Sequence, residues 1–163
     1  MVIPSIITGF LTNSYMLINQ WGYIGVFLIS LVSSASLFFF PVPYQAVIFA
    51  AAAILNPFLV AVFATIGSTI GDSSAYLIGL GGKEILEKKF ESQINKTRKK
   101  FERFGVFVWI FIASLLPLPI DIVSIICGVI KYDYKKYVIA LTAGKFIKHL
   151  VVAYVGAELF ALL

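Results

Sequence analysis

Leu116-Pro117-Leu118-Pro119-Ile120-Asp121 is a helix break set in apolar sequence, and Phe40-Pro41-Val42-Pro43 is an earlier version of it, with Pro41 lying 76 positions before Pro117. A proline inside a helix removes a backbone donor and clashes with the preceding turn. It also pushes the residue before it towards extended geometry. Two prolines one residue apart therefore stop a helix firmly. Inside lipid the freed backbone groups have no water to bond. A chain that breaks its helices twice, at matching places, is expected to use the breaks.

The surrounding sequence is that of a membrane protein. Of 163 residues, 60% are hydrophobic and 13% charged, with mean hydropathy +0.97; soluble domains carry roughly 25% charged residues. Residues 1–71 contain no Asp, Glu, Lys or Arg, and Asp72 is the first charge. About 18 uncharged apolar residues already suggest one membrane span. The start lacks a basic n-region and apolar sequence recurs to the end, which argues against a signal peptide ahead of a soluble body. The 21 polar residues from Lys83 to Arg103 leave no room for a soluble catalytic domain.

The net charge is +5, and eight of the thirteen Lys and Arg fall within 83–103, against Glu84, Glu87, Glu91 and Glu102. That pattern reads as a positive-inside topology signal, placing the segment in the cytoplasm. Aromatics do not interleave with the charges as a nucleic-acid surface requires. Cys127 stands alone in apolar sequence, so no internal disulfide forms, and it is expected to be a packing residue.

Residues 3–19 are apolar but short, and either lie in the interface or begin a span. Trp21-Gly22-Tyr23 has the character of an interfacial turn. Apolar stretches follow at 24–40 and 44–55, and Asn56-Pro57 signals a turn with proline suited to the first helical position. Residues 58–80 are long enough to span, and Gly79, Gly81 and Gly82 form a helix stop. Within 83–103 the apolar residues Leu86, Phe90, Ile94 and Phe101, continued by Phe104, keep a helical spacing, so a helix lying on the membrane surface is expected. Residues 105–116 and 120–130 flank the second break, a basic turn runs from Lys131 to Lys136, and 137–162 form a last span.

Twelve residues (105–116) make about 18 Å of helix and eleven (120–130) about 16 Å at ~1.5 Å per residue. A hydrocarbon core of about 30 Å needs more than either arm. Basic residues flank both ends (Lys99, Lys100 and Arg103; Lys131, Lys135 and Lys136), which favours a hairpin entering and leaving on one side. Each proline pair is followed by a short apolar arm, a turn and a long glycine-bearing helix. The long helices align from Gly67 to Gly79 and from Gly144 to Gly156, the outer glycines 12 apart in both. One span separates the two hairpins, so they enter from opposite faces: an inverted repeat, which is a transporter plan. The expected fold is all-α and polytopic, a single domain over 1–163. Its parts are a short or interfacial helix at 1–20, repeat 1 at 21–82, an amphipathic linker helix at 83–104 and repeat 2 at 105–163.

In the order and spacing of these features the chain resembles the DedA family, also called the SNARE-associated Golgi protein or VTT domain family. The likeness covers roughly 21–160. It rests on the first break, the helix motif Gly67, Gly71, Asp72, Tyr76 and Gly79, the basic stretch, Phe101 and Gly105, the second break, and Gly128. The resemblance implies two re-entrant hairpins facing each other and a role in moving lipids across membranes, polyprenyl-phosphate carriers and phospholipids among them. The chain departs from typical bacterial members in carrying Gln45 where they have a Glu. It also lacks their arginines around the second break, so a mechanism built on those pairs is not carried over.

Ionisable groups inside membrane segments are costly and mark function by default. The candidates are Asp72, Asp121, Lys145, Lys148 and His149. Tyr44 and Gln45 could offer uncharged hydrogen bonds, and Pro41, Pro43, Pro117 and Pro119 shape the tips. Asp121 either caps the arm that follows it or tunes a phosphate site formed by the arm's amides. Lys145, Lys148 and His149 share one helical face. Lys145 lies within snorkelling reach of the basic turn, while Lys148 and His149 lie deeper. In the repeat alignment His149 matches Asp72, so an Asp72–His149 or Asp72–Lys148 pair is expected, either as a structural link or as a proton or headgroup relay. The function these residues suggest is translocation of a lipid with an anionic phosphate headgroup, by a flippase or scramblase in the cell membrane. The alternatives are a non-transporting assembly scaffold or a small-ion or solute transporter. Membrane lipids are the expected partners, nucleic acid is not, and self-association is compatible with the plan. No metal-ligand cluster or nucleophile–base signature is visible, so neither cofactor nor enzyme activity is expected.

Overall fold

The computed structural model describes residues 20–35, 44–82, 88, 91–92, 95–96, 99, 101, 105–116 and 120–162. Both proline pairs, the N-terminal segment 1–19 and most of the basic linker lie outside the described residues. Among the described residues six helices are delimited, in order: α1 (Tyr23–Ala35), α2 (Tyr44–Ala51), α3 (Pro57–Gly81), α4 (Val106–Leu115), α5 (Ile120–Val129) and α6 (Tyr134–Ala161). Among the described residues there is no strand.

The boundaries follow local chemistry. Asn56 caps α3, its Oδ1 accepting from the amides of Phe58 (3.0 Å) and Leu59 (3.3 Å), with Pro57 in the first turn. Gly82 closes the helix, its amide donating to Ile78 O. Asp133 caps α6 through the Lys136 amide at 2.9 Å, two residues after Lys131, a non-glycine residue at φ 55°. Only α3 (25 residues) and α6 (28 residues) are long and apolar enough to cross a bilayer among the described residues. At ~1.5 Å per residue they reach about 37 and 42 Å, whereas α4 and α5, with ten residues each, reach about 15 Å.

The two long helices run antiparallel along each other, as the contacts Thr65–His149, Ser68–Lys145 and Asp72–Tyr137 show. The short helices pack around them: α1 and α5 on α3, α4 and α2 on α6. Glycines mark each crossing. A Cβ at Gly67 would strike the backbone of Phe27 and Leu31 in α1, and one at Gly144 would strike Phe111 and Ser114 in α4. A Cβ at Gly79 would meet the backbone of Ile125 in α5, and one at Gly156 would meet that of Phe49 in α2. The amphipathicity is inside out. On α3, Ile66, Ile70 and Leu77 face outward while Thr65, Ser68, Thr69, Asp72 and Ser73 are buried. Exposed apolar surface of that extent needs a lipid or protein cover.

Candidate functional site

The buried polar residues of α3 and α6 form one seam at mid-length. On α3, Thr65, Ser68, Thr69 and Asp72 recur at three- and four-residue intervals, so they share a face. On α6, Lys145 and His149 answer them. Lys145 Nζ lies 2.7 Å from Asp72 Oδ2, with both side chains almost fully buried, and donates to Ser68 O at 3.0 Å. Removing two charges from water is costly, and only their mutual attraction and additional hydrogen bonds offset it. The Ser68 carbonyl supplies one such bond.

His149 is fully buried beside this pair. Its Nδ1 lies 3.0 Å from Thr65 Oγ1, and Thr65 Oγ1 also lies 2.7 Å from Ala61 O. The ring of Tyr44, the first residue of α2, meets the His149 ring edge-on at 5.9 Å between centroids. The other post-proline helix arrives at the same seam. Asp121, in the first turn of α5, lies within electrostatic range of both Asp72 and Lys145. Tyr137 donates to Ser124 Oγ at 2.8 Å, and Ser124 donates on to Ile120 O at 2.9 Å, which ties the start of α5 to α6. Lys148, half-buried, interacts electrostatically with Asp72 and Lys145.

The structure thus brings together Tyr44, Asp72, Asp121, Lys145, Lys148 and His149, with Gln45 half-buried in the first turn of α2. Pro41, Pro43, Pro117 and Pro119 lie outside the described residues. Two expectations change. The partner of Asp72 is Lys145, not His149 or Lys148, and Lys145 does not snorkel: it points inward, one turn short of His149. Asp121 lies in the first turn of α5, and the residues before Ile120 are outside the described ones. Thr65, Ser68, Ser124 and Tyr137 were not singled out from sequence. The polar recurrence at 65, 68, 69 and 72 within an apolar span was the signal for the first two.

A family model of the VTT domain matches residues 42–158, which takes in α2 to most of α6 and every described member of the seam. The chain belongs to the VTT domain family. The match begins after α1, so the five helices α2–α6 carry the family pattern in this protein. An uncharacterized protein of the archaeon Methanocaldococcus jannaschii is 29% identical over 136 residues, covering 82% of each chain. No solved structure matches. Family membership, together with two helices able to cross a bilayer and an outward apolar face, makes this VTT domain a membrane domain.

Proposed function

We propose that this VTT domain moves a lipid with an anionic phosphate headgroup across the bilayer, between two re-entrant hairpins arranged as an inverted repeat. The observation that carries the reading is the convergence of both post-proline helices on one buried, charged seam half-way along the two long helices.

The packing supports the repeat. Each hairpin's first arm (α1, α4) lies on the long helix of its own repeat, and each second arm (α2, α5) on that of the other. Exchanging the repeats leaves this pattern unchanged. Gly67 and Gly144 take the same part in it, as do Gly79 and Gly156. Arms of about 15 Å fit re-entry better than crossing, and broken helices meeting at mid-membrane are how inverted-repeat transporters hold their cargo.

In this reading Asp72 keeps the place of the cargo. Its carboxylate oxygen on Lys145 stands where a phosphate oxygen would bind, and an arriving headgroup exchanges with it. Lys148 adds positive charge, the amides at the starts of α2 and α5 face the anion, and the tail stays in lipid. Asp121, at the edge of the seam, tunes the local charge. The protein is multi-pass in the cell membrane with the basic segment 83–103 cytoplasmic, and no enzymatic step is involved.

The test is reconstitution. Liposomes containing the protein should flip a labelled phospholipid or polyprenyl phosphate faster than empty ones, and Lys145→Met should remove the gain. Wild-type protein that leaves every such lipid at the empty-liposome rate would sink the reading and favour a scaffold.

A further inference from the structure

Within the seam, His149 Nε2 is a buried nitrogen with no hydrogen-bond partner among the described residues. The hydrogen bonds on the other side of the ring define what that nitrogen offers. Thr65 Oγ1 has one proton, and Ala61 O, which can only accept, takes it at 2.7 Å. Towards His149 Nδ1, 3.0 Å away, Thr65 therefore acts as acceptor, and Nδ1 carries the N–H. In a neutral ring the second nitrogen is then a bare acceptor. A buried acceptor without a donor is costly, and its natural completion is a donor that arrives with a ligand.

The surroundings narrow the donor. Lys145 and Lys148 both lie within electrostatic range of the ring, so a cationic ammonium donor would be repelled while an anionic group beside the donor is welcomed. Tyr44 walls the ring edge-on. We infer that His149 is a specificity residue for a hydroxyl carried on the phosphate headgroup, accepting that hydroxyl at Nε2 while Lys145 takes the phosphate. This rests on the lipid-translocation reading and adds the headgroup chemistry to it.

His149 is the single histidine of the chain, so labelling histidine nitrogens reports on it alone. Full-length protein labelled in this way is placed in nanodiscs of phosphatidylmethanol or phosphatidylglycerol, lipids of equal charge that differ in headgroup hydroxyls. The expected spectrum is a neutral Nδ1–H ring whose Nε2 signal shifts in the glycerol lipid, and Thr65→Val should mix the tautomers. An Nε2–H ring, a doubly protonated ring at neutral pH, or a signal indifferent to headgroup overturns the inference. In liposomes the two lipids should be flipped at rates that differ about tenfold, the scale of one buried hydrogen bond, and His149→Leu should bring the two rates together. Equal wild-type rates for both lipids defeat the specificity while leaving translocation intact. If neither lipid moves, translocation fails, and the nitrogen spectrum still decides whether Nε2 takes a hydroxyl.

Discussion

Asp72 and Lys145 approach to 2.7 Å across the antiparallel contact of α3 and α6, each almost wholly shielded from solvent. Either charge alone would be stranded in that position, which makes the pair a link between the two halves of the chain. Removing one partner of a buried pair typically costs about 3–5 kcal/mol, whereas replacing both with apolar residues of similar volume is often neutral. Asp72→Leu and Lys145→Met should each lower the melting temperature of the detergent-solubilised protein strongly, and the double variant should recover most of the loss. Additive losses in the double variant would show that the two side chains act independently.

The glycines make a second, purely steric prediction. A Cβ on Gly79 would collide with the Ile125 backbone and one on Gly128 with that of Tyr76 and Leu80, so neither helix can yield locally. Gly79→Ala and Gly128→Ala should each destabilise by about 1–3 kcal/mol, the range for overpacking. Gly81, with open space around its Cβ position, should accept alanine almost silently. Thermal unfolding of the three variants side by side checks this, and equal shifts for Gly79 and Gly81 would contradict the close α3–α5 crossing.

Much of the helix order was legible in the sequence because its signals are local. Asn56-Pro57 gave the start of α3, Gly82 its end, and the break at Pro117-Pro119 the division between α4 and α5. The site was legible as a set of residues, since charges in apolar sequence stand out, but not as a set of partners. Aligning the glycines put His149 opposite Asp72. Antiparallel helices instead pair positions whose numbers run in opposite directions, so Asp72 meets Lys145, one turn earlier, and His149 falls to Thr65. Serine and threonine were overlooked because they are unremarkable one at a time. Only their recurrence on the Asp72 face of α3 marks them.

The hairpin reading predicts a topology. Asn95 and Lys135 are both exposed and lie on either side of α4 and α5 in the chain. Asp133 is a poorer probe position, because its carboxylate caps α6. In a background with Cys127 replaced by alanine, Asn95→Cys and Lys135→Cys should be labelled by a membrane-impermeant maleimide from the same side of the membrane. Labelling from opposite sides would mean that α4 and α5 together cross the bilayer, and the re-entrant arrangement would be lost.

Asp121 separates a structural carboxylate from a functional one. As the second residue of α5 it sits among the unpaired amides of the first turn, where a negative charge interacts favourably with the helix dipole, typically worth 0.3–1 kcal/mol. Asp121→Asn retains a side chain able to accept from those amides and should lower stability by no more than about 1 kcal/mol. The charge, by contrast, is felt at Asp72 and Lys145. Without it, Lys145 faces one negative group fewer and holds an incoming anion more tightly. Release from the seam should then slow, so that flipping in liposomes falls several-fold while headgroup binding, measured by retention of a labelled lipid, strengthens. A variant that melts far below wild type would instead make Asp121 a folding residue. A variant with wild-type flipping and wild-type retention would remove it from the site altogether.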